Sequence, residues 1–399
     1  MDKFLASRGI SGDKAIAVDD TVLVMEMPST AGSKMLENFT PLFDAEAVTR
    51  IKTAGYEVAG KTNVGEFGLD ALGETSFRGG VQKPDGCFAG AAAELVFDGS
   101  VAAALCVDLN GYPRRAAAVT DTVFVKPTYG TVSRYGIIAC ACSSEQIGVA
   151  AKTAKTCAEI LSVISGYDPK DGTSIKTEKY DYSADLPMSG QKVGIPTEFL
   201  VKADTETVEK VKKQAAAMAA QGAVVEEFSF PAVDFATSAY LSILAGETCN
   251  NLSRYDGVKF GYRSERSKNI EDLYVNSRTE AFSLLTKFII LYGSNVLSQS
   301  CYGDFYDKSL RVRRVLKDAL SGAFERYDLL LSPACSKTSY NATDFEDGLK
   351  TVYNEMYFSA LANLTGIPTI VAGGIQFMAD SFGENTLFSA AVTVEGARV

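Results

Sequence analysis

The strongest constraint on the fold is an alternation that runs the length of the chain. Amphipathic helical stretches are separated by short apolar runs rich in β-branched residues. Tyr56–Lys61, Thr122–Lys126, Lys192–Ile195, Val224–Phe230, Asp328–Ser332 and Thr369–Ala372 read as strands. Helical spacing predicts Phe43–Lys52, with Phe43, Ala47, Val48 and Ile51 on one face. Asp204 reads as the N-cap of a helix through Ala220, with Val208, Val211, Ala215 and Met218 turned inward. Further helices are predicted over Ala91–Leu105 (interrupted by Gly99), Glu145–Ile164, Phe235–Leu252, Thr279–Ser298, Asp304–Arg326 and Thr351–Leu364, with a polar loop over Thr173–Gly190. This order predicts an α/β fold: a large, mixed, mostly parallel sheet covered by helices on both faces. No Pro/Gly/Ser-rich linker divides residues 1–399, so a single domain is expected, with a helical lobe at about 235–326.

Composition narrows the function. The net charge of -10 argues against a nucleic-acid footprint, which needs a basic face to displace counterions. No apolar run reaches the roughly 20 residues that span a bilayer. The first twenty residues mix charges with glycines, so a cytoplasmic protein is expected. The eight cysteines are scattered and fit reduced, mostly buried thiols rather than a metal site. Histidine is absent, which removes Ser-His-Asp triads, Cys-His dyads and histidine-based metal centres. Any hydrolytic chemistry would need lysine, a carboxylate or a serine relay as its base, and no cofactor is expected.

Several segments, in order and spacing, point to one family. They are Thr30-Ala-Gly-Ser-Lys-Met-Leu-Glu-Asn-Phe39, Lys61-Thr-Asn-Val-Gly-Glu-Phe67, Lys126-Pro-Thr-Tyr-Gly-Thr-Val-Ser-Arg-Tyr-Gly136, Arg254-Tyr-Asp-Gly-Val-Lys-Phe-Gly-Tyr-Arg263 and Ala362-Asn-Leu-Thr-Gly-Ile-Pro368. The chain resembles the amidase-signature family, and within it the A subunits of tRNA-dependent amidotransferases, from about Ala15 to about Ala390. The resemblance implies the amidase-signature fold and a glutaminase chemistry run by a serine, a second serine and a lysine. It also implies an N-terminal helical section, which is expected to be missing here.

The same resemblance places changed residues at each catalytic position. Ile16-Ala-Val-Asp-Asp-Thr21 puts Asp19 at the lysine, and Asp108-Leu-Asn-Gly-Tyr-Pro-Arg114 puts Tyr112 at the nucleophile. Gly86-Cys-Phe-Ala-Gly-Ala91 puts Phe88 at the second serine, where a trans peptide is expected after Cys87. The former oxyanion and substrate pocket maps to Asn110, Gly111, Arg114, Phe260, Ile289 (or Phe288) and Met356. Phe88, Tyr112, Ile289 and Met356 are expected to pack together as core, and Asp19 to be a solvated or hydrogen-bonded loop carboxylate.

The leading expectation is therefore a catalytically inactive pseudoenzyme acting through a protein partner, either one of the other amidotransferase-like subunits or a second copy. Tyr255, Lys259, Tyr262 and Arg263 are its candidate interface, because aromatic and basic residues anchor interfaces. Two other readings stand beside it. One is an active or repurposed amidase of the same family, and the other is a small-ligand binding module using the remodelled pocket.

Overall fold

The computed structural model describes residues 2–176 and 180–396. Part of the polar loop expected over 173–190 lies outside these residues. Eleven strands form one sheet: β1 (Phe4–Ser7), β2 (Gly12–Asp19), β3 (Glu57–Thr62), β4 (Val101–Asp108), β5 (Val123–Lys126), β6 (Gln146–Ala151), β7 (Lys192–Pro196), β8 (Val224–Phe228), β9 (Leu329–Pro333), β10 (Thr369–Ala372) and β11 (Ile375–Met378). The helices are α1 (Glu46–Thr53), α2 (Ala91–Phe97), α3 (Tyr112–Thr120), α4 (Ala154–Ile164), α5 (Thr197–Lys202), α6 (Thr205–Ala220), α7 (Ala236–Leu252), α8 (Ile270–Ala281), α9 (Leu284–Val296), α10 (Lys308–Phe324), α11 (Gly348–Thr365) and α12 (Glu384–Gly396).

The strand order is β1-β3-β2-β4-β6-β5-β10-β11-β9-β7-β8. Parallel pairing joins β3, β2 and β4 on one side and β9, β7 and β8 on the other. The strands between these trios run antiparallel. The sheet is thus mixed, and parallel pairing is less dominant than the helix–strand alternation suggested.

Strand periodicity places Ile16 and Val18 with α1, α4, α6 and α12 on one face. Ala15 and Ala17 turn to the other, with α2 and α3. The helices α7, α9, α10 and α11 share a further cluster around Tyr240, Ile289 and Phe358. Asp204 caps α6 as its sequence predicts, accepting from the Thr207 N–H at 2.7 Å.

Two predicted helices are corrected. Ala91–Leu105 is helix only to Phe97, and Val101–Asp108 is strand β4. Glu145–Ile164 begins with strand β6 and becomes helix only at Ala154. Both strands are alanine-rich and buried on both faces, so they lack the alternation that marks a half-buried strand. Helix α8 was not foreseen, although Asn269 caps it by accepting from the Asp272 N–H at 2.8 Å. All eight cysteines are free, but only Cys106, Cys140, Cys157 and Cys335 are buried.

Candidate active site

The parallel register of β2 on β4 pairs Val18 with Leu105 and brings their carboxyl ends together. Crevices at such strand ends are where open α/β sheets place ligands. Asp19 ends β2 and is buried: of the solvated or hydrogen-bonded loop carboxylate expected, the hydrogen bonding is found, but in a strand and out of solvent. Its carboxylate accepts from the Val107 N–H at 3.0 Å and the Thr62 hydroxyl at 3.1 Å. Burial pushes this carboxyl up to about 7, against the pull of those two donors and of the Lys61 ammonium. Lys61 is itself buried and held down to about 8, mainly by desolvation. It donates to the Val22 carbonyl and, at 3.0 Å, to the Ser29 hydroxyl.

Beyond β4 the chain turns through Asn110 and Gly111 into α3, whose first residue is Tyr112. Gly111 takes φ +78, and a Cβ there would sit 2.4 Å from the Ser359 Cβ, so the turn requires glycine. The Tyr112 ring is enclosed between glycines. A Cβ at Gly90 would come within 3.2 Å of the phenol oxygen, and one at Gly73 within 3.7 Å of the ring. The Tyr112 hydroxyl is buried and faces the Ala91 N–H without closing a hydrogen bond. Burial, reinforced by the charges of Asp19 and nearby Asp70, pushes the phenol well above its ordinary value.

Phe88 lies half-buried at the rim, its ring edge-on to Phe345 at 5.1 Å. The peptide bonds of the described residues are all trans, Cys87–Phe88 included. The single core expected of Phe88, Tyr112, Ile289 and Met356 does not form. Tyr112 packs beside Phe88 in the α2–α3 cluster, whereas Ile289 and Met356 belong to the α7–α11 cluster. The separation follows from α9 and α11 packing on α7 rather than on α3.

Arg114 holds the fold rather than facing an open pocket. Its guanidinium meets the Asp108 carboxylate through Nε at 2.7 Å and Nη2 at 3.2 Å. It also donates to Gln376 at 2.8 Å and to Asn363. Burial would raise the Asp108 carboxyl, but Arg114 and Asn363 outweigh it and hold it below the usual range. Asn110 donates to the Leu69 carbonyl at 2.8 Å, and its own side-chain oxygen is buried without a partner among the described residues.

Sequence reasoning missed three residues here. Arg115 is buried and donates to the main-chain carbonyls of Ala71 (3.0 Å), Asp70 (3.3 Å) and Asn110, fixing the turn from behind. Asp70 and Glu74 form a carboxylate pair in the adjoining loop. Desolvation raises both, and the charge of Asp70 helps lift Glu74 to about 8. Carbonyl contacts leave no residue pattern to read, but the Asp-x-x-x-Glu spacing was visible.

The predicted interface residues do come together. Tyr255, Lys259, Tyr262 and Arg263, with Phe260, line a cleft of about 900 Å³ whose opposite wall includes Met35 and Leu36. The Tyr262 N–H donates to the Met35 carbonyl at 2.8 Å, and the Lys34 ammonium lies 4.2 Å from the Tyr262 ring centroid. Phe260 is 59% exposed, and Lys259 and Arg263 are exposed beside it. Tyr255 stacks on Phe67 at 5.9 Å, and Leu69 receives the Asn110 amide. Phe67 and Leu69 thus link the inner wall of the cleft to the Asn110 turn.

No helix of the described residues is long and apolar enough to cross a membrane. Residues 15–388 match the family model described as Amidase. The chain is 37% identical to the A subunit of glutamyl-tRNA(Gln) amidotransferase from Lachnoclostridium phytofermentans, over 96% of its own length and 83% of the relative's. It is 36% identical to the protein of the same name from Halothermothrix orenii, over 96% and 84%. The crystal structure of the A subunit of glutamyl-tRNA(Gln) amidotransferase from Thermotoga maritima superposes with a TM-score of 0.82 at 27% identity, covering 98% of this chain and 87% of that one. A 6-aminohexanoate cyclic dimer hydrolase shares the fold at TM-score 0.80 and 21% identity, over 96% and 84%.

These relationships overturn the expectation of a catalytically inactive protein acting only through a partner. Similarity to amidotransferase subunits runs through nearly the whole chain, and the active-amidase reading fits it better. The inactive reading rested on the replacement of the lysine and both serines; at the lysine position the residue present is an enclosed carboxyl lifted to about 7, a group able to take a proton near neutrality. With its full-length relatives and its family match, the chain belongs to the amidase family.

Proposed function

We propose that this protein is an active amide-hydrolysing enzyme of glutaminase type, working as the A-type component of a cytoplasmic multi-subunit assembly. The observation that carries this is the 37% identity, along 96% of the chain, to the A subunit of a glutamyl-tRNA(Gln) amidotransferase. The chemistry has to suit the residues present. A carboxyl near 7 can accept a proton at neutral pH, so Asp19 takes the role of general base toward water. Water oxygen adds to the amide carbon as Asp19 takes its proton. That proton then passes to the departing nitrogen as the C–N bond breaks, leaving a carboxylic acid and ammonia. The Tyr112 phenol stays protonated and supplies a hydrogen-bond donor for the developing oxyanion. The turn at Asn110 and Gly111 borders the same space.

Asp19 and Tyr112 are enclosed, so a substrate reaches them only when the chain around them moves aside. The cleft lined by Phe260, Lys259 and Arg263 is the face offered to a partner protein.

The test is ammonia release by the purified full-length chain, alone and with co-purifying proteins, from glutamine, asparagine and neutral primary amides. Release above a heat-killed control that disappears in Asp19→Asn supports the reading. No release from any of these substrates rejects it.

A further inference from the structure

A second cleft opens on the far side of α11, and nothing in the amidase chemistry uses it. Its volume is about 590 Å³, within the range of small-molecule sites. It lies where α5, the turn before α7 and α11 meet, lined by Lys202, Asp234, Thr237, Asn354 and Tyr357. Asn354 and Tyr357 share one face of α11, and Ser359 and Asn363 on the opposite face hold the Asn110 turn and Asp108.

Four observations point to a ligand. Thr237 is 95% buried (5% relative exposure), yet its hydroxyl has no hydrogen-bond partner among the described residues. Buried polar groups are paired in the great majority of cases, so an orphan lining a cleft asks for a guest. The Lys202 ammonium lies 5.6 Å from the Tyr357 ring centroid and has no carboxylate partner among the described residues. The Asp234 carboxylate accepts only the Tyr357 hydroxyl among the described residues, at 2.7 Å, leaving one oxygen open. The Asn354 side chain is exposed and makes no hydrogen bond among the described residues.

The charges decide the ligand class. A cation sits over the face of Tyr357 and a carboxylate at its phenolic tip. A simple anion would meet Asp234, and a simple cation would meet Lys202. A molecule carrying both charges satisfies both. We propose that this cleft binds a free α-amino acid, its carboxylate toward Lys202 and its ammonium toward Asp234, with the Thr237 hydroxyl and Asn354 amide completing the contacts.

Calorimetric titration of the full-length protein with L-serine, L-aspartate, L-phenylalanine and L-lysine tests this. Glutamine and glutamate are left out because the amidase site could bind them. At least one of the four should bind saturably, with a Kd below about 1 mM. Its N-acetyl and methyl-ester forms, each lacking one charge, should bind about tenfold more weakly or worse. Lys202→Met and Asp234→Asn change exposed side chains that fold without difficulty, and each should reproduce that loss. Thr237→Val should weaken binding several-fold without lowering the melting temperature of the free protein. Absence of saturable binding by all four amino acids overturns the proposal. So does binding that survives both charge-removing substitutions unchanged. Because the readout is binding, the result stands whatever happens to ammonia release.

Discussion

Two buried polar groups lie side by side at the carboxyl ends of β2 and β4, and they are built on opposite principles. Around Arg114 every strong partner is answered. Asp108, Asn363 and Gln376 saturate the guanidinium, and the carboxylate is held below its usual range. Around Asp19 and Tyr112 the arrangement is unfinished. The phenol has no hydrogen bond among the described residues, and the carboxyl is lifted to about 7. A satisfied network fixes a fold, whereas a desolvated and under-paired one stores reactivity. One turn of chain thus serves both purposes, with Asp108 at its start and Tyr112 at its end.

The comparison breaks most readily at Arg114. Arg114→Met leaves Asp108 buried without its cation, and denaturant unfolding should show a loss of about 3–5 kcal/mol. A loss under about 1 kcal/mol would mean that the Arg114–Asp108 pair is not what holds the turn.

Asp19→Asn separates the two groups most cleanly. Ammonia release should fall by roughly 100-fold or more, as expected on removing a general base. The wild-type rate should climb through about pH 7 as the carboxyl ionises. Stability should move the other way. The folded state raises this carboxyl from 3.8 to about 7, so it favours the neutral form. That contribution is whole below pH 3.8 and is lost as pH rises through about 7. Above pH 7 the neutral Asn variant should therefore melt higher than the wild type, and coincident melting curves there would contradict the raised carboxyl.

Tyr112→Phe should cost about 100-fold in rate while leaving stability unchanged or up to about 1 kcal/mol higher, because the hydroxyl it removes is unpaired. A clear destabilisation would show that the phenol has a partner. The smallest effect belongs to the surface. Lys259→Ala with Arg263→Ala should weaken association with a co-purifying protein while shifting stability by no more than about 0.5 kcal/mol.

Much of the fold is legible in the sequence where local chemistry and tertiary position agree. Asp204 caps α6 where its side chain predicts, and β7 begins at Lys192 as read. Legibility fails where a strand is buried on both faces by small residues. In β6 a Cβ at Gly148 would come within 2.5 Å of the Phe124 ring, so that position is kept free of side chain. The run Gln-Ile-Gly-Val-Ala-Ala then carries no alternation and passes for helix. At the site, family resemblance located Asp19 and Tyr112, and only the β2–β4 register explains why they lie near enough for the charge of one to act on the other. Arg115 could not be found this way, because it bonds to carbonyls that any sequence provides.

The glycines around Tyr112 also bear on this chain's history. A Cβ at Gly90 would crowd both the phenol oxygen of this large ring and Ala116 beside it. The resemblance to the wider family implies a serine at this position. Restoring it alone would vacate the ring's volume, a change of the kind that costs about 3–5 kcal/mol when large core side chains are truncated. The tyrosine is therefore entrenched. A lineage that has taken this step cannot retrace it by one substitution without first passing through a less stable protein.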